Sequence, residues 1–572
     1  MVRPFAALAA ALHDGYSWRH LRGDVTAGIV VAIVALPLSM ALAIAVGLPP
    51  QHGLYTAIIA GGVIALLGGS RTQVSGPTAA FVAILLPIVQ LHGLAGLMLA
   101  TTFAGAMLVG LGLLRFGRYI ELVPYPVVTG FTAGIGVTIA TGQLAGFSGM
   151  EGVAPQPHFH EVLAELWRCL PTVDPFDLGL GIATVVLLLL SPRLLPRLPA
   201  PLVAVTAVGV AAFALERAGI ADIATIAERF SYPLPGGGTH AGVPPWPPVP
   251  AWPWDAPGPG GAPLDLDFQT VKELLVAGIT ICMLGAIESL LSAVVADGMT
   301  ATRHDPDTEL LAQGLGNLAA PFFGGFAATG AIARTATNIK SGARTPVAAF
   351  VHAACLLVMT MTLAPLLGAL PIAAMSGLLL VIAVRMADVR HVARVLRVAP
   401  RADKGVLLTC MLLTVAFDMV VGVATGMVLA SLLFLRRMAR LTGVRLVLPE
   451  HAGPGLDLPP NVSVYAIEGP LFFGAAERAM RVLHSIGQSG MVVVLDLRGV
   501  QTIDATGLVN LQSVIERLGA SRAHTVLTGL QQEVANTVSR AGIAGDEQLL
   551  FVRKELRDGL ELARRLAAGP SG

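Results

Sequence analysis

The sequence predicts a polytopic α-helical membrane protein that ends in a small soluble α/β domain, and three observations predict it. Hydrophobic residues make up 54% of the 572 and charged residues only 13%, about half the charged share of a soluble chain. Fourteen apolar segments follow one another up to Leu435. After about Val444 the composition turns to that of a soluble protein. Mean hydropathy is +0.73, and the charge balance of 37 basic against 36 acidic residues gives no sign of a nucleic-acid partner.

The segments run Asp24–Gly47, Leu54–Gly68, Pro77–Leu91, Leu94–Leu114, Tyr125–Ala145, Leu178–Leu190 and Leu202–Leu215. The second set is Val271–Val295, Leu310–Phe323, Ala331–Ile339, Val347–Leu367, Ile372–Val384, Val406–Asp418 and Val420–Leu435. Several are shorter than the roughly 20 residues of a full span, so tilted or broken helices are expected. Two sets of seven imply an inverted repeat, because an odd number per set reverses the second.

Basic residues fix the orientation. With the N-terminus inside, the inner connections carry Arg71, Arg115, Arg118, Arg193, Arg197, Arg303, Lys340 and Arg344, and Arg436, Arg437 and Arg440 follow the last span. The outer connections are poor in Lys and Arg, as the positive-inside rule requires. Arg390, Arg394, Arg397 and Arg401 recur at three- and four-residue steps, which predicts a surface helix with a basic face, open to water or to anionic lipid. FAALAAAL near the N-terminus is too short to span and reads as an interfacial helix, without the basic flank of a signal peptide. The outer connection Tyr232–Pro263 is dense in Pro and Gly and reads as an extended, partly polyproline surface loop, with Trp246, Trp252 and Trp254 at the interface. Cys169, Cys282, Cys355 and Cys410 show no metal spacing, and no disulfide is expected.

Two stretches break the hydrophobic pattern in matching places. In FGGFAATGAIARTATNIKSGAR, Thr329 or Gly330 could cap a short helix from about Ala331 to Ile339, with Arg334 one turn in. In GGSRTQVSGPTAA, Ser75, Gly76, Pro77 and Thr78 make a helix start, with Pro where its missing N–H costs nothing. A helix that begins inside a bilayer leaves N–H groups that must meet a cavity or a ligand. Two such starts, with a guanidinium beside them, suit an anion, although re-entrant loops with a packing role alone would look the same. Thr78, Ala79, Ala333 and Thr335 lie beside the starts and offer backbone N–H or hydroxyl donors. Glu288, in CMLGAIESLLSAVV, is a lone carboxylate in an apolar span, so it is suited to take up a proton. It could instead hydrogen-bond a neighbouring helix, or pair with Arg334. Asp297 and Asp418 read as interfacial.

In the soluble part, NVSVYAIEGPLFF, MVVVLDLRGV and TVLTGL read as strands. Gly474–Ile486, Ala505–Leu518 and Gln531–Arg540 read as helices, a small α/β domain. The soluble part has neither a Walker motif nor paired catalytic carboxylates, which argues against an enzyme or an ATP-driven pump.

DVTAGIVVAIVALPLSMALAIAVGLPPQHGLY, GGSRTQVSGPTAAF, LGAIESLLSAVVADGM, QGLGNLAAPFFGG and AIARTATN resemble the SulP (solute carrier family 26) anion transporters, and LDLRGVQTIDATGL resembles a STAS domain. The resemblance implies fourteen helices as two inverted seven-helix repeats in the UraA-like arrangement, with substrate between the starts of the third and tenth helices. It further implies a core unit of helices one to four and eight to eleven that moves against a gate unit, a homodimer, and STAS domains in the cytoplasm. The implied domains are a segment 1–23, a transporter 24–440, a linker 441–459 and a STAS domain 460–568. Glu288 and Arg334 match the family's acidic and basic cavity positions. Ala333 stands where some relatives carry Ser, and Leu38 where many carry Gln, which suits a partly apolar substrate better than sulfate. Thr506 matches a residue phosphorylated in related signalling domains, but helix capping by the Asp504-Ala505-Thr506 stretch is the simpler role.

The expected function is proton-coupled uptake of C4-dicarboxylates across a bacterial inner membrane, with Glu288 as the coupling group and both termini cytoplasmic. Sulfate or bicarbonate transport with sodium coupling, an anion channel, and a STAS-linked signalling scaffold are the alternatives. Expected partners are the anion, membrane lipids, a second copy and a protein on the STAS domain, with no metal or other cofactor.

Overall fold

The computed structural model describes residues 4–120, 123–154, 156, 158–196, 198–234, 237–441, 443–447, 459–472, 491–543, 545 and 548–568. The chain divides into two units, Met1–Met427 and Val428–Gly572.

The first unit is helical. It starts with α1 (Ala6–His13), α2 (Trp18–Ala45) and α3 (Gln51–Leu67), then a two-residue strand β1 (Ser75–Gly76) and α4 (Ala79–Leu113). The two segments read as Pro77–Leu91 and Leu94–Leu114 are the halves of α4. They part at Gly93, whose φ of 67° and ψ of −166° leave the helical region, a conformation open to glycine. Next come α5 (Gly117–Ile120), α6 (Tyr125–Phe147), α7 (Phe159–Arg168), α8 (Pro175–Leu194) and α9 (Ala200–Arg217). After α10 (Ile226–Arg229) and a hairpin of β2 (Ser231–Pro233) and β3 (Thr239–Ala241) come α11 (Phe268–Thr300) and α12 (Pro306–Ala319). The strand β4 (Thr329–Gly330), α13 (Ile332–Lys340), α14 (Pro346–Gly368), α15 (Ile372–Ala387), α16 (Val389–Val398), α17 (Arg401–Ala416) and α18 (Met419–Leu441) complete the set.

Every apolar segment read from the sequence is therefore helical. Among the described residues, nine helices are long and apolar enough to cross a membrane; the others are short or broken. Capping explains several boundaries. Asp267 Oδ1 accepts from Thr270 N at 2.7 Å at the start of α11, and Asp305 Oδ1 accepts from Asp307 N and Thr308 N at 3.1 Å at the start of α12, satisfying N–H groups that have no upstream carbonyl. Asp418 does the same for α18, accepting from Val421 N at 2.9 Å.

The helices pack as two bundles. One holds α2, α3, α4, α11, α12, α13 and α14, and the other holds α6, α8, α9, α15 and α17. Leu38 of α2 lies against Leu188, Ala204, Leu378 and Val381 of the second bundle.

Two readings are corrected. The Pro/Gly-rich connection is folded rather than merely extended: besides its hairpin, Trp252 stacks on Trp254 and meets Phe322 edge-on, and Ala251 N donates to Phe322 O at 2.8 Å. The basic face ends sooner than expected, because α16 stops at Val398 before Pro400 and Arg401 opens α17; proline cannot continue the helix. Asp297, read as interfacial, accepts with Oδ2 from His304 Nδ1 at 2.7 Å and from His304 N at 2.9 Å.

The second unit holds a five-stranded sheet in the order β5 (Gly443–Val447), β6 (Val462–Glu468), β7 (Val492–Gly499), β8 (His524–Thr528) and β9 (Leu550–Arg553). β5 is antiparallel to β6 and the rest are parallel. Along β7 the side chains alternate. Val493, Leu495 and Leu497 pack with α19 (Ala505–Ala520) and α20 (Gln532–Arg540), while Val492 and Val494 pack with α21 (Leu556–Ala567) on the other face. β5 falls in the stretch expected as a linker, and the expected helix Gly474–Ile486 lies outside the described residues. Asp504 caps α19, its Oδ1 accepting from Gly507 N at 2.7 Å, and Thr506 is exposed in the first turn.

Candidate functional site

Two helix starts meet inside the first bundle. β1 pairs antiparallel with β4, Ser75 opposite Gly330 and Gly76 opposite Thr329. α4 leaves one end of this ribbon and α13 the other. The starts sit slightly later than the sequence suggests. Thr78 is the N-cap of α4 and Ala331 that of α13, so Gly76, Thr329 and Gly330 are strand residues and Pro77 precedes the cap. The ribbon gives these backbone groups partners that the helices cannot supply: Ala331 N donates to Val74 O at 2.8 Å and Gly330 N to Ser289 Oγ at 3.1 Å.

Glu288, half-buried on α11, stands across both starts. Its Oε2 accepts from Thr78 Oγ1 at 3.0 Å and from Thr329 Oγ1 at 3.0 Å, and the two hydroxyls are 3.1 Å apart. One carboxylate oxygen thus joins a residue from each half of the chain. No ion pair forms between Glu288 and Arg334 among the described residues.

Arg334 does not point into open space. It is only 2% exposed and its Nη2 donates to the Pro77 carbonyl, where its charge acts on the start of α4 through the backbone. The Gly76 backbone lies against Nη1, close enough that a Cβ there would come within 2.7 Å, so a side chain at residue 76 would displace the guanidinium. Thr335 also departs from the sequence reading. It is fully buried, and its Oγ1 accepts from Val74 N at 3.0 Å and lies 3.3 Å from Ser292 Oγ, so it holds the loop and is not free for a ligand. Ala79 is buried, whereas Ala333 and Ile332 are exposed at the α13 start. The N–H groups of the first turns, with half a positive charge at each end, and the pair Glu288–Thr78 remain as the polar face.

A second layer holds the loops, and the sequence reading did not single it out. Asn317 brackets Ala328, donating to its O at 2.9 Å and accepting from its N at 2.8 Å, as a strand neighbour would. Thr56 of α3 accepts from Phe326 N at 2.8 Å. In return α12 and α13 hold the first loop: Glu309 Oε2 accepts from Gly69 N at 3.0 Å and Ser70 N at 3.1 Å, and Asn338 Nδ2 donates to Thr72 O at 2.9 Å. Each half of the chain thus fixes the other's broken segment. The spacing of Glu309, Gln313 and Asn317, four residues apart on one face of a largely apolar helix, was the available signal.

The fold and this site define a multi-pass helical transporter with a soluble α/β domain attached. Residues 21–410 match the sulfate permease family and residues 454–555 the STAS domain. YvdB of Bacillus subtilis is 38% identical over 92% of this chain and 95% of its own. The bicarbonate transporter BicA of Picosynechococcus is 29% identical over 87% of each chain. The structure of murine solute carrier 26 family member A9 in its inward-facing state superposes with a TM-score of 0.82 over 98% of this chain and 94% of that one, at 17% identity, a likeness of fold. The chain belongs to the sulfate permease family; it is an anion transporter with a C-terminal STAS domain and not an enzyme.

Proposed function

We propose that the protein is a secondary transporter that takes up a C4-dicarboxylate together with a proton, with the anion held at the facing starts of α4 and α13. The observation that carries this reading is the position of Glu288, bonded to Thr78 and Thr329. Two unit negative charges about 5 Å apart repel by about 3 kcal/mol at an effective dielectric of about 20. An anion arriving beside a charged Glu288 therefore draws a proton onto it, and anion and proton travel together. Ala333, exposed at the α13 start, supplies no side-chain donor, which suits the methylene middle of succinate. The likeness of SMALAIAVGLPPQHGLYTA and MLGAIESLLSAVVADGMTAT to the bacterial C4-dicarboxylate transporter DauA points the same way.

The two bundles support a movement in which the first, carrying the site, slides against the second. In this reading fourteen segments form the inverted pair of sevens, and the protein is an inner-membrane homodimer with both termini cytoplasmic. A sulfate or bicarbonate carrier, sodium-coupled or not, is the second reading, favoured by the family name and by BicA. Reconstituted vesicles given labelled succinate, sulfate and bicarbonate, with and without a pH gradient and sodium, separate them. Succinate uptake driven by outside acid is expected; succinate uptake indifferent to the gradient removes proton coupling, and uptake of sulfate or bicarbonate alone favours the second reading.

A further inference from the structure

A second protonatable chain runs from the far end of α12 to β1, apart from Glu288. In the residues leading into α12, His304 Nδ1 donates to Asp297 Oδ2 at 2.7 Å. Nε2 of His304 is buried and has no hydrogen-bond partner. Glu309, 1% exposed, holds Gly69 N and Ser70 N with Oε2. Its Oε1 accepts from Gln313 Nε2 at 3.0 Å, and the same Nε2 donates to Ser75 Oγ at 2.9 Å. Gln313 Oε1 is buried without a partner.

The last fact makes the chain two-way. With Glu309 ionised, the Gln313 amide donates from Nε2 to both neighbours, as observed. With a proton on Glu309 Oε1, that arrangement would set a donor against a donor. A half-turn of the Gln313 amide places Oε1 where Nε2 was, and it then accepts from the Glu309 O–H and from the Ser75 hydroxyl. Both states keep both hydrogen bonds, so switching orphans neither bond in the chain. The switch reverses an amide dipole and removes one negative charge beside Ser75, which is paired in register with Gly330 at the helix starts.

We propose that Glu309 is a positioning and proton-sensing residue whose protonation state is passed through Gln313 and Ser75 to the facing helix starts. The proton comes from water on the side where Asp297 and His304 lie, which the charge pattern makes cytoplasmic, and returns there. Other charges at this end of α12 are engaged or exposed. Asp305 caps the helix, Asp307 accepts from Gly117 N, Arg71 pairs with Asp14, and Arg118 and Arg303 are exposed. α3 and α4 bring no carboxylate, Lys or Arg to α12. The sign follows: neutralising Glu309 removes a buried negative charge, so the helix starts hold an anion more tightly as the cytoplasm acidifies and release it as it turns alkaline.

The test is infrared difference spectroscopy on the full-length protein in vesicles, stepped from alkaline to acidic pH. One component of the protonated-carboxyl band should grow in the wild type and in Glu288→Gln and be missing from Glu309→Gln. Wild-type bands retained in full by Glu309→Gln overturn the proposal. In the same vesicles, apparent KM for labelled succinate, and for labelled sulfate in parallel, should vary several-fold with lumenal pH in the wild type. It should stay low and flat in Glu309→Gln, whose amide accepts from Gly69 N and Ser70 N and donates to Gln313 as a protonated Glu309 would. A Glu309→Gln KM that follows lumenal pH like the wild type overturns it equally. The spectroscopic arm needs no transported substrate, so its outcome stands apart from the choice between dicarboxylate and inorganic anion.

Discussion

Both bundles of the membrane unit bring helices together at glycine, as where a Cβ on Gly314 would meet Val109 N at 2.5 Å, but they differ in their buried polar bonds. In the bundle of α2–α4 and α11–α14, buried polar side chains reach across to loop backbone: Glu309 to Gly69 and Ser70, Asn317 to Ala328, Thr56 to Phe326, and Asp24 to Arg344 N and Thr345 N at 2.8 and 3.2 Å. In the bundle of α6, α8, α9, α15 and α17, contact rests on small residues. A Cβ on Gly130 would meet the Leu407 carbonyl at 2.6 Å, on Gly134 the Thr414 side chain at 2.8 Å and on Gly136 the Ala383 carbonyl at 2.8 Å. Close backbone approach of this kind is how helices associate in lipid, where hydrophobicity supplies no preference between helices. Hydrogen bonds fix register, because a shift of one residue leaves buried groups unpaired. Flat, small-residue faces fix distance more than register. The contrast assigns precision to the first bundle, which carries the helix starts, and compliance to the second.

The strongest way to break this comparison is at the site. Glu288→Gln and Arg334→Ala should each abolish concentrative uptake, read in vesicles, while the protein remains in the membrane; uptake persisting in either would detach the helix starts from transport. Next in size is the register network. Asn317→Ala leaves the Ala328 N–H and C=O unpaired, at about 1–3 kcal/mol for each buried group, so thermal unfolding in detergent should occur at clearly lower temperature. Gly134→Val in the second bundle should cost about 1–3 kcal/mol through overpacking, with a slower turnover but an unchanged KM. A changed KM there would contradict the division of labour. The smallest effect is expected in the soluble domain, where Asp504→Ala removes the α19 cap and should cost about 1 kcal/mol by thermal denaturation, leaving uptake unaltered.

Much of this was legible in the sequence, and what was not has a common cause. Segment positions followed from hydrophobic runs, and the gap left at Gly93 marked a real break. Glu288 stood out because a lone carboxylate in an apolar stretch needs a partner or a purpose. The orientation of Arg334 was not legible, because its acceptor, the Pro77 carbonyl, lies in the other half of the chain. Thr335 looked like a ligand donor for the same reason: the group that consumes its hydroxyl, Val74 N, is remote in sequence. Glu309 and Asn317 were missed since local pattern shows polarity but not which distant N–H it answers. The starts of α4 and α13 were placed early because strand pairing between β1 and β4, a tertiary event, takes residues that capping rules assign to helices.

That four-residue ribbon has a consequence for how the chain is made. β1 leaves the ribosome with the first half of the membrane region, and β4 is translated only with the second. Until then Ser75 and Gly76 have no strand to pair with and Gly69 has no carboxylate to hold it, so the nascent first half carries an open seam inside the lipid. The first half therefore gains its full set of backbone partners only when the second half has joined it in the membrane.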